Sequence, residues 1–390
     1  MTVAAWSAGD FLVMAKPVGA RCNLACSYCY YLPKAGLFPQ VPMPRMAEDL
    51  LETFVRQRLE AAPGPAVHFE WHGGEPTLLG LDCFRRIVRL QKALCPPGKI
   101  FSNGLQTNGT LLDDAWARFL ADEQFSVGLS LDGPAEAHDR FRVTRDGRPT
   151  HAEGVAAFRL LRRHGVHCDL LCVLHAGNVG APLEVYRFFR ELGATHLQFL
   201  PLVQPGGGRE AADPDAIGRF LCAVFDHWIR HDLGRTVIQN FDEAFRATAG
   251  LPHALCTFRE TCGDVLVLEH EGSVYACDHF VDPEHRLGSL LQEPLADLAA
   301  RPEQLAFGRR KRDRLPSRCR GCDVLAFCNG GCPKDRLGRE PSGEPGVNLL
   351  CSAYRRFFRH CRPALVRLAA HWRSGKPLGA FGAGGRKAGP

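Results

Sequence analysis

Seventeen cysteines in 390 residues constrain this chain more than any other feature. An odd number cannot pair completely as disulfides, and in a reducing compartment such a load signals metal ligation. Eleven of the seventeen fall into spaced groups. The first is Cys22-Asn-Leu-Ala-Cys26-Ser-Tyr-Cys29, a C-x3-C-x2-C loop. Three thiolates with no fourth cysteine or histidine at ligand spacing do not close a tetrahedral zinc site. They do hold three irons of a [4Fe–4S] cube and leave the fourth iron open to a small chelating cofactor. A zinc knuckle completed by a distant ligand is the competing reading.

The second group is Cys319-x2-Cys322-x5-Cys328-x3-Cys332, with Cys351 downstream, and the third is Cys256-x5-Cys262-x14-Cys277. These eight cysteines suffice to ligate two further [4Fe–4S] clusters fully, and fully ligated clusters pass electrons rather than bind substrate. Zinc competes here too, because C-x2-C is also a zinc-ribbon spacing. Cys83, Cys95, Cys168, Cys172, Cys222 and Cys361 lack such spacing and read as small buried hydrophobes.

Around these groups the chain is organised as alternating elements. Strands are expected at Phe11–Pro17, Ala66–Trp71, Ile100–Gln106, Phe125–Leu131, Val166–Leu174 and His196–Val203. Helices are expected near Met46–Glu60, Asp82–Leu94, Leu112–Ala121, Ala152–His164 and Pro182–Leu192. Such alternation predicts parallel βαβ units, and six of them suit a partial (β/α)6 barrel. The cysteine loop, Gly73-Gly74-Glu75-Pro76, Thr107-Asn108-Gly109 and Ser130-Leu131-Asp132-Gly133 all fall at strand carboxyl ends, the face where barrels place their chemistry. A doubly wound sheet would gather them at one switch point instead. The expected organisation is a partial barrel over 1–208, a helical bridge over 209–254 and a cysteine-rich domain over 255–361. A tail over 374–390 has disordered composition.

Charge and hydropathy exclude several partners. A formal charge of +6 is mild, and the richest basic run, Arg309 to Arg312, is followed at once by Asp313 and reads as a solvated helix end. No nucleic-acid partner is expected. No stretch approaches the ~20 apolar residues of a membrane helix. The opening MTVAAWSAGD lacks a basic start, which argues against a secretory signal and for a cytoplasmic protein.

With these motifs in place the chain resembles the radical S-adenosylmethionine enzymes that carry a SPASM-type auxiliary-cluster domain. The seven-cysteine pattern runs Cys262-x9-Gly272-x4-Cys277, Cys319-x2-Cys322-x5-Cys328-x3-Cys332 and Cys351, with Cys256 as an eighth ligand. Within that group it is most similar to anaerobic sulfatase-maturating enzymes, up to about residue 360. The stretches that carry the likeness are Cys22 through Tyr31, Trp71-His72-Gly73-Gly74-Glu75-Pro76-Thr77, Gln106 through Thr110, Ser130 through Pro134 and on to Arg142, and Tyr275-Ala-Cys277-Asp278-His-Phe280.

The resemblance implies three [4Fe–4S] clusters and bound S-adenosylmethionine. It assigns Cys22, Cys26 and Cys29 to the cofactor-cleaving cluster, and Cys256, Cys262, Cys277 and Cys332 to one auxiliary cluster. Cys319, Cys322, Cys328 and Cys351 go to the other. It places cofactor contacts at Tyr28, Gly74, Ser130, Arg142 and Val203, and the proton acceptor at Asp278. The implied reaction turns a cysteine or serine of an unfolded sulfatase, in a Cys/Ser-x-Pro/Ala-x-Arg motif, into Cα-formylglycine after hydrogen abstraction from Cβ. The implied electron donor is a small protein such as flavodoxin or ferredoxin. Tyr31 either borders the substrate pocket or packs as an interior aromatic. Two alternatives remain at this stage. One is a SPASM-type modifier making a thioether or carbon–carbon crosslink in another ribosomal peptide, although only about 20 residues precede Cys22 to hold the leader-recognition domain such modifiers carry. The other is a zinc-stabilised binding protein without catalysis.

Overall fold

Alternation of buried and exposed side chains builds the sheet: β2 (Ala66–Trp71) and β5 (His167–Leu174) place every second residue in the interior. In a computed structural model, which describes residues 10–39, 43–204, 206–376, 378 and 381, the other strands are β1 (Leu12–Ala15), β3 (Ile100–Thr107), β4 (Ser126–Ser130), β6 (His196–Pro201), β7 (Val237–Ile238), β8 (Val265–Leu268), β9 (Ser273–Tyr275) and β10 (Arg286–Ser289). The six expected strands are present: β2 has the expected bounds, β3 runs one residue longer, and the other four are shorter by one to three residues. The helices between them run Glu48–Ala61, Leu81–Leu94, Asp114–Asp122, His151–Arg163 and Pro182–Leu192. Most of the glycine-rich tail and most of the opening decapeptide lie outside the described residues.

Contacts divide the chain into two compact units. The first comprises Met1–Leu131, Asp139–Cys168 and Thr261–Arg310; the second comprises Asp132–His138, Asp169–Glu260 and Lys311–Pro390. In the first unit β1, β2, β3 and β4 run parallel in that order. On the other side of β1, β8 adds in parallel, and β9 and β10 continue antiparallel. The strand beside β1 therefore comes from the cysteine-rich part of the sequence, and it sets that segment in register with the strand that leads into Cys22. A helix at Gln239–Ala249, β7 and β10 are elements that the sequence reading did not anticipate.

The core of the first unit is aromatic. Phe54, Phe69, Trp71 and Phe84 are closed to solvent and meet edge to face at 5.7 to 5.9 Å, with Phe69 stacked on Trp71 at 6.4 Å. Trp71 needs a partner for its indole N–H, and Asn103 on β3 accepts it at 2.9 Å while exchanging two hydrogen bonds with Gln91. This buried amide pair fixes β3 against the helix Leu81–Leu94.

The second unit holds β5, β6 and β7 in parallel. There the helix Cys351–Arg373 packs on Pro214–His231 and Gln239–Ala249, with Phe357 against Phe225 and Phe241. Among the described residues no helix is long and apolar enough to cross a membrane. Of the six cysteines outside the spaced groups, Cys168, Cys172 and Cys361 are buried as expected, whereas Cys83, Cys95 and Cys222 are partly exposed.

Asn103→Ala is expected to strip the Trp71 indole and the Gln91 amide of their partners. Each orphaned group costs about 1–3 kcal/mol, so the variant should show a clear drop in thermal unfolding midpoint.

Candidate active site

The loop after β1 owes its shape to backbone pairing rather than to side chains. Ala25 N–H donates to Val143 O at 2.8 Å, Ser27 N–H donates to Phe141 O at 3.1 Å, and Leu24 bridges Thr144. Arg145 Nε reaches the Cys22 carbonyl at 2.9 Å. From the next strand end, Gly74 N–H donates to Gly19 O and Glu75 N–H donates to Arg21 O, at 2.8 and 2.9 Å. A Cβ on Gly74 would stand 2.0 Å from the Arg21 carbonyl oxygen, so only glycine fits there. The double glycine lies flush against the residue that precedes Cys22.

Glu75 extends this tie to the third strand end. Fully buried, it accepts from Thr107 Oγ1 at 2.7 Å and from Asn108 N–H at 2.8 Å, besides both donors of Thr77. Burial raises its pKa while these hydrogen bonds oppose the rise. Asn108 Nδ2 in turn lies 3.0 Å from Asn23 Oδ1 and 3.8 Å from Cys22 Sγ. The sequence reading gave neither Glu75 nor Asn108 an individual role, because a motif match does not show which donors a carboxylate meets.

Cys22, Cys26 and Cys29 are all partly exposed. Burial pushes the Cys22 thiol up to about 12, and the negative charges of Glu75, Cys26 and Cys29 add to the rise against the Leu24 N–H. Three sulfurs so placed do not ionise together unless a cation shares their charge. Tyr28 and Arg142 are brought into contact, the guanidinium 5.4 Å from the ring centroid, with Phe141 at the ring edge. Ser130, at the end of β4, accepts from Gln106 at 3.4 Å. Val203 lies in the second unit, two residues beyond β6, and is partly buried.

Asp278 is held from two sides. Its Oδ1 is 2.5 Å from the ammonium of Lys16, an ion pair, and the Tyr30 hydroxyl donates a short hydrogen bond to Oδ2. Burial alone would raise the carboxyl pKa, but the positive charge of Lys16, first among the opposing causes, outweighs it and holds the group well below the usual carboxylate range. The Tyr30 hydroxyl is pushed far above its ordinary value by burial and by Asp278, so it stays a donor. Its ring is 44 % exposed, whereas Tyr31 is 2 % exposed and bonded to Glu269. Tyr31 is therefore an interior aromatic, and the tyrosine beside Asp278 is its neighbour.

In the first unit Gln304 donates to the carbonyls of Gly263 and Ala276 at 2.7 and 3.0 Å, which draws together the residues flanking Cys262 and Cys277. In the second unit Cys256 lies within electrostatic reach of Cys332. Burial and Asp335 push the Cys332 thiol up to about 12, and Cys256 adds to the rise. Lys311 is fully buried rather than solvated at a helix end, and its ammonium donates to the carbonyls of Cys256, Thr257 and Arg259. The three carbonyls of that turn, which accept from its ammonium, account for the departure from the sequence expectation.

Cys319, Cys322, Cys328 and Cys351 line one pocket of the second unit, together with Gly330, Tyr354 and Arg355. Burial pushes Cys328 up to about 12, and the other three sulfurs add to the rise.

Comparison with known proteins matches residues 17–189 to the radical SAM superfamily and residues 256–323 to the SPASM iron–sulfur cluster-binding domain. The chain is 39% identical over 370 residues to a serine-type anaerobic sulfatase-maturating enzyme of Bacteroides thetaiotaomicron, covering 90% of this chain and 89% of that one. It is 31% identical over 364 residues to a cysteine-type enzyme of Clostridium perfringens, covering 92% and 98%. It is also similar to a solved structure described as native anSMEcpe with bound AdoMet and Kp18Cys peptide. There the TM-score is 0.84 at 31% identity, covering 92% of this chain and 99% of that one.

Gly74→Ala is expected to displace the cysteine loop while sparing the other two sulfur sets. Iron per chain after anaerobic preparation should fall from about twelve to about eight atoms, with acid-labile sulfide falling in step.

Proposed function

The chain belongs to the anaerobic sulfatase-maturating enzymes of the radical SAM superfamily, and from that membership we infer that it oxidises a cysteine or serine of a sulfatase to Cα-formylglycine without oxygen. Its fold is accordingly the partial (β/α)6 barrel of the radical SAM type with a C-terminal cysteine-rich SPASM-type domain. The observation that carries the reading is the carboxylate of Asp278, ionised at neutral pH and one residue from Cys277.

We assign the three [4Fe–4S] clusters to Cys22, Cys26 and Cys29; to Cys256, Cys262, Cys277 and Cys332; and to Cys319, Cys322, Cys328 and Cys351. The domain boundaries expected from the sequence, at 208, 254 and 361, go with this assignment. When bound, the clusters and S-adenosylmethionine supply the 5′-deoxyadenosyl radical that takes hydrogen from the substrate Cβ, and the sink for the second electron. Tyr28, Gly74, Ser130, Arg142 and Val203 bind S-adenosylmethionine. Asp278 accepts the proton of the substrate thiol or hydroxyl as general base. Tyr30 steadies the second carboxylate oxygen, and its exposed ring offers the peptide a surface. The substrate is an unfolded sulfatase segment with a Cys/Ser-x-Pro/Ala-x-Arg motif, the electron donor a flavodoxin or ferredoxin, and the location the cytoplasm. The mild charge and the absence of a membrane-length helix among the described residues suit this assignment.

Anaerobic incubation with S-adenosylmethionine, a reductant and a motif peptide tests the reading by mass spectrometry. An aldehyde-bearing peptide formed together with 5′-deoxyadenosine is the expected result. Deoxyadenosine with an unchanged peptide would move the substrate to another ribosomal peptide. Asp278→Asn is expected to keep cofactor cleavage and to lower aldehyde formation by roughly 10²–10⁴-fold.

A further inference from the structure

Two lysines are wholly closed to solvent among the described residues, Lys16 and Lys311. Lys311 is engaged by three carbonyls of a single turn. Lys16 has a different environment, because its ammonium meets Asp278 and His72 of the candidate site. It follows β1 directly, and its backbone N–H is fixed by Leu268 O at 2.8 Å. Its Nζ stands 2.5 Å from Asp278 Oδ1, 3.0 Å from His72 Nδ1 and 4.3 Å from the centroid of the Tyr31 ring.

These contacts determine the state of His72. Its Nδ1 also receives the Gly73 N–H, at 2.8 Å. An ammonium and an amide are both donors, so Nδ1 accepts and the ring proton sits on Nε2. Burial, with the charge of Lys16, pushes the His72 pKa down to about 4, which keeps the ring neutral. The Nε2–H makes no hydrogen bond within the described residues, and His72 itself is only partly buried. His72 Nδ1 and Asp278 Oδ1 are no farther apart than their two contacts to Lys16 laid end to end.

We propose that Lys16 is a positioning residue for substrate deprotonation: one buried ammonium aims the Asp278 carboxylate and presets His72 as an Nε2–H donor to the substrate heteroatom. This rests on Asp278 being the proton acceptor. The substrate side chain, CH2–XH, loses a hydrogen atom from Cβ to the deoxyadenosyl radical, a proton from X to Asp278 and one electron to an auxiliary cluster, leaving CH=X. With oxygen as X this is the aldehyde, and with sulfur water then displaces hydrogen sulfide. Throughout, Lys16 and His72 keep their protons and hold geometry only.

Comparing serine and cysteine motif peptides tests the proposal. A hydroxyl holds its proton far more tightly than a thiol of ordinary pKa about 8.5, so a misaimed base harms the serine reaction more. Lys16→Met and Lys16→Gln are expected to retain full iron content, deoxyadenosine formation and peptide KM. Aldehyde formed per deoxyadenosine should fall at least about tenfold with the serine peptide, and markedly less with the cysteine peptide. Lys16→Met/Asp278→Asn, which has no lone buried charge, should be no worse than Asp278→Asn alone. Unchanged aldehyde per deoxyadenosine in both Lys16 variants would overturn the proposal. So would equal losses with both peptides, or losses that track iron content, since those mark a purely structural lysine. Normal turnover by Asp278→Asn would instead remove the base assignment itself, and no aldehyde from the unsubstituted enzyme would remove the function.

Discussion

A lysine ammonium buried without water costs several kcal/mol unless an anion meets it, and in this protein the anion that meets Lys16 is Asp278. The pair joins the end of the first strand to the loop after β9, two segments more than 260 residues apart in the sequence. It works because β8 pairs with β1 in parallel, so that the auxiliary-cluster segment enters the first unit as part of its sheet. Sheet pairing sets the register, and the ion pair then sets the direction of the carboxylate. His72 and Tyr31 gather around the same ammonium.

The same logic recurs wherever the chain leaves regular structure. The strand-end loops carry few apolar side chains, and single buried polar groups tie them together instead. Glu75 ties the second strand end to the third, Gln304 ties the flanks of Cys262 and Cys277, and Lys311 collects the carbonyls beside Cys256. Each satisfies several partners at once, which is the condition under which burying it is tolerable. The cysteine sets are the exception. Their thiols are raised first by burial and then by one another.

Much of the site was legible because it is local. Cys22, Cys26 and Cys29 lie within eight residues, and Gly73-Gly74 follows a strand whose bounds, Ala66–Trp71, were read correctly from alternation alone. Lys16 and Tyr30 were not legible. Nothing in Ala15-Lys16-Pro17 says that a carboxylate from residue 278 will arrive, and two adjacent tyrosines look alike until one is buried and the other is not. Lys311 was misread for a related reason: a basic run looks solvated until one member meets carbonyls from another segment.

The sequence by itself determined which chemistry the chain can hold. Thiol spacing limits the metal, and strand–helix alternation places those thiols at carboxyl ends, because both depend on covalent distance and short-range periodicity. Only the tertiary structure decided which side chains surround Asp278, which histidine nitrogen carries the proton, and which lysines are buried inside the protein. Those outcomes depend on burial and on contacts between residues far apart in the chain. A charge sheltered from water is governed by whatever neighbours the fold brings to it.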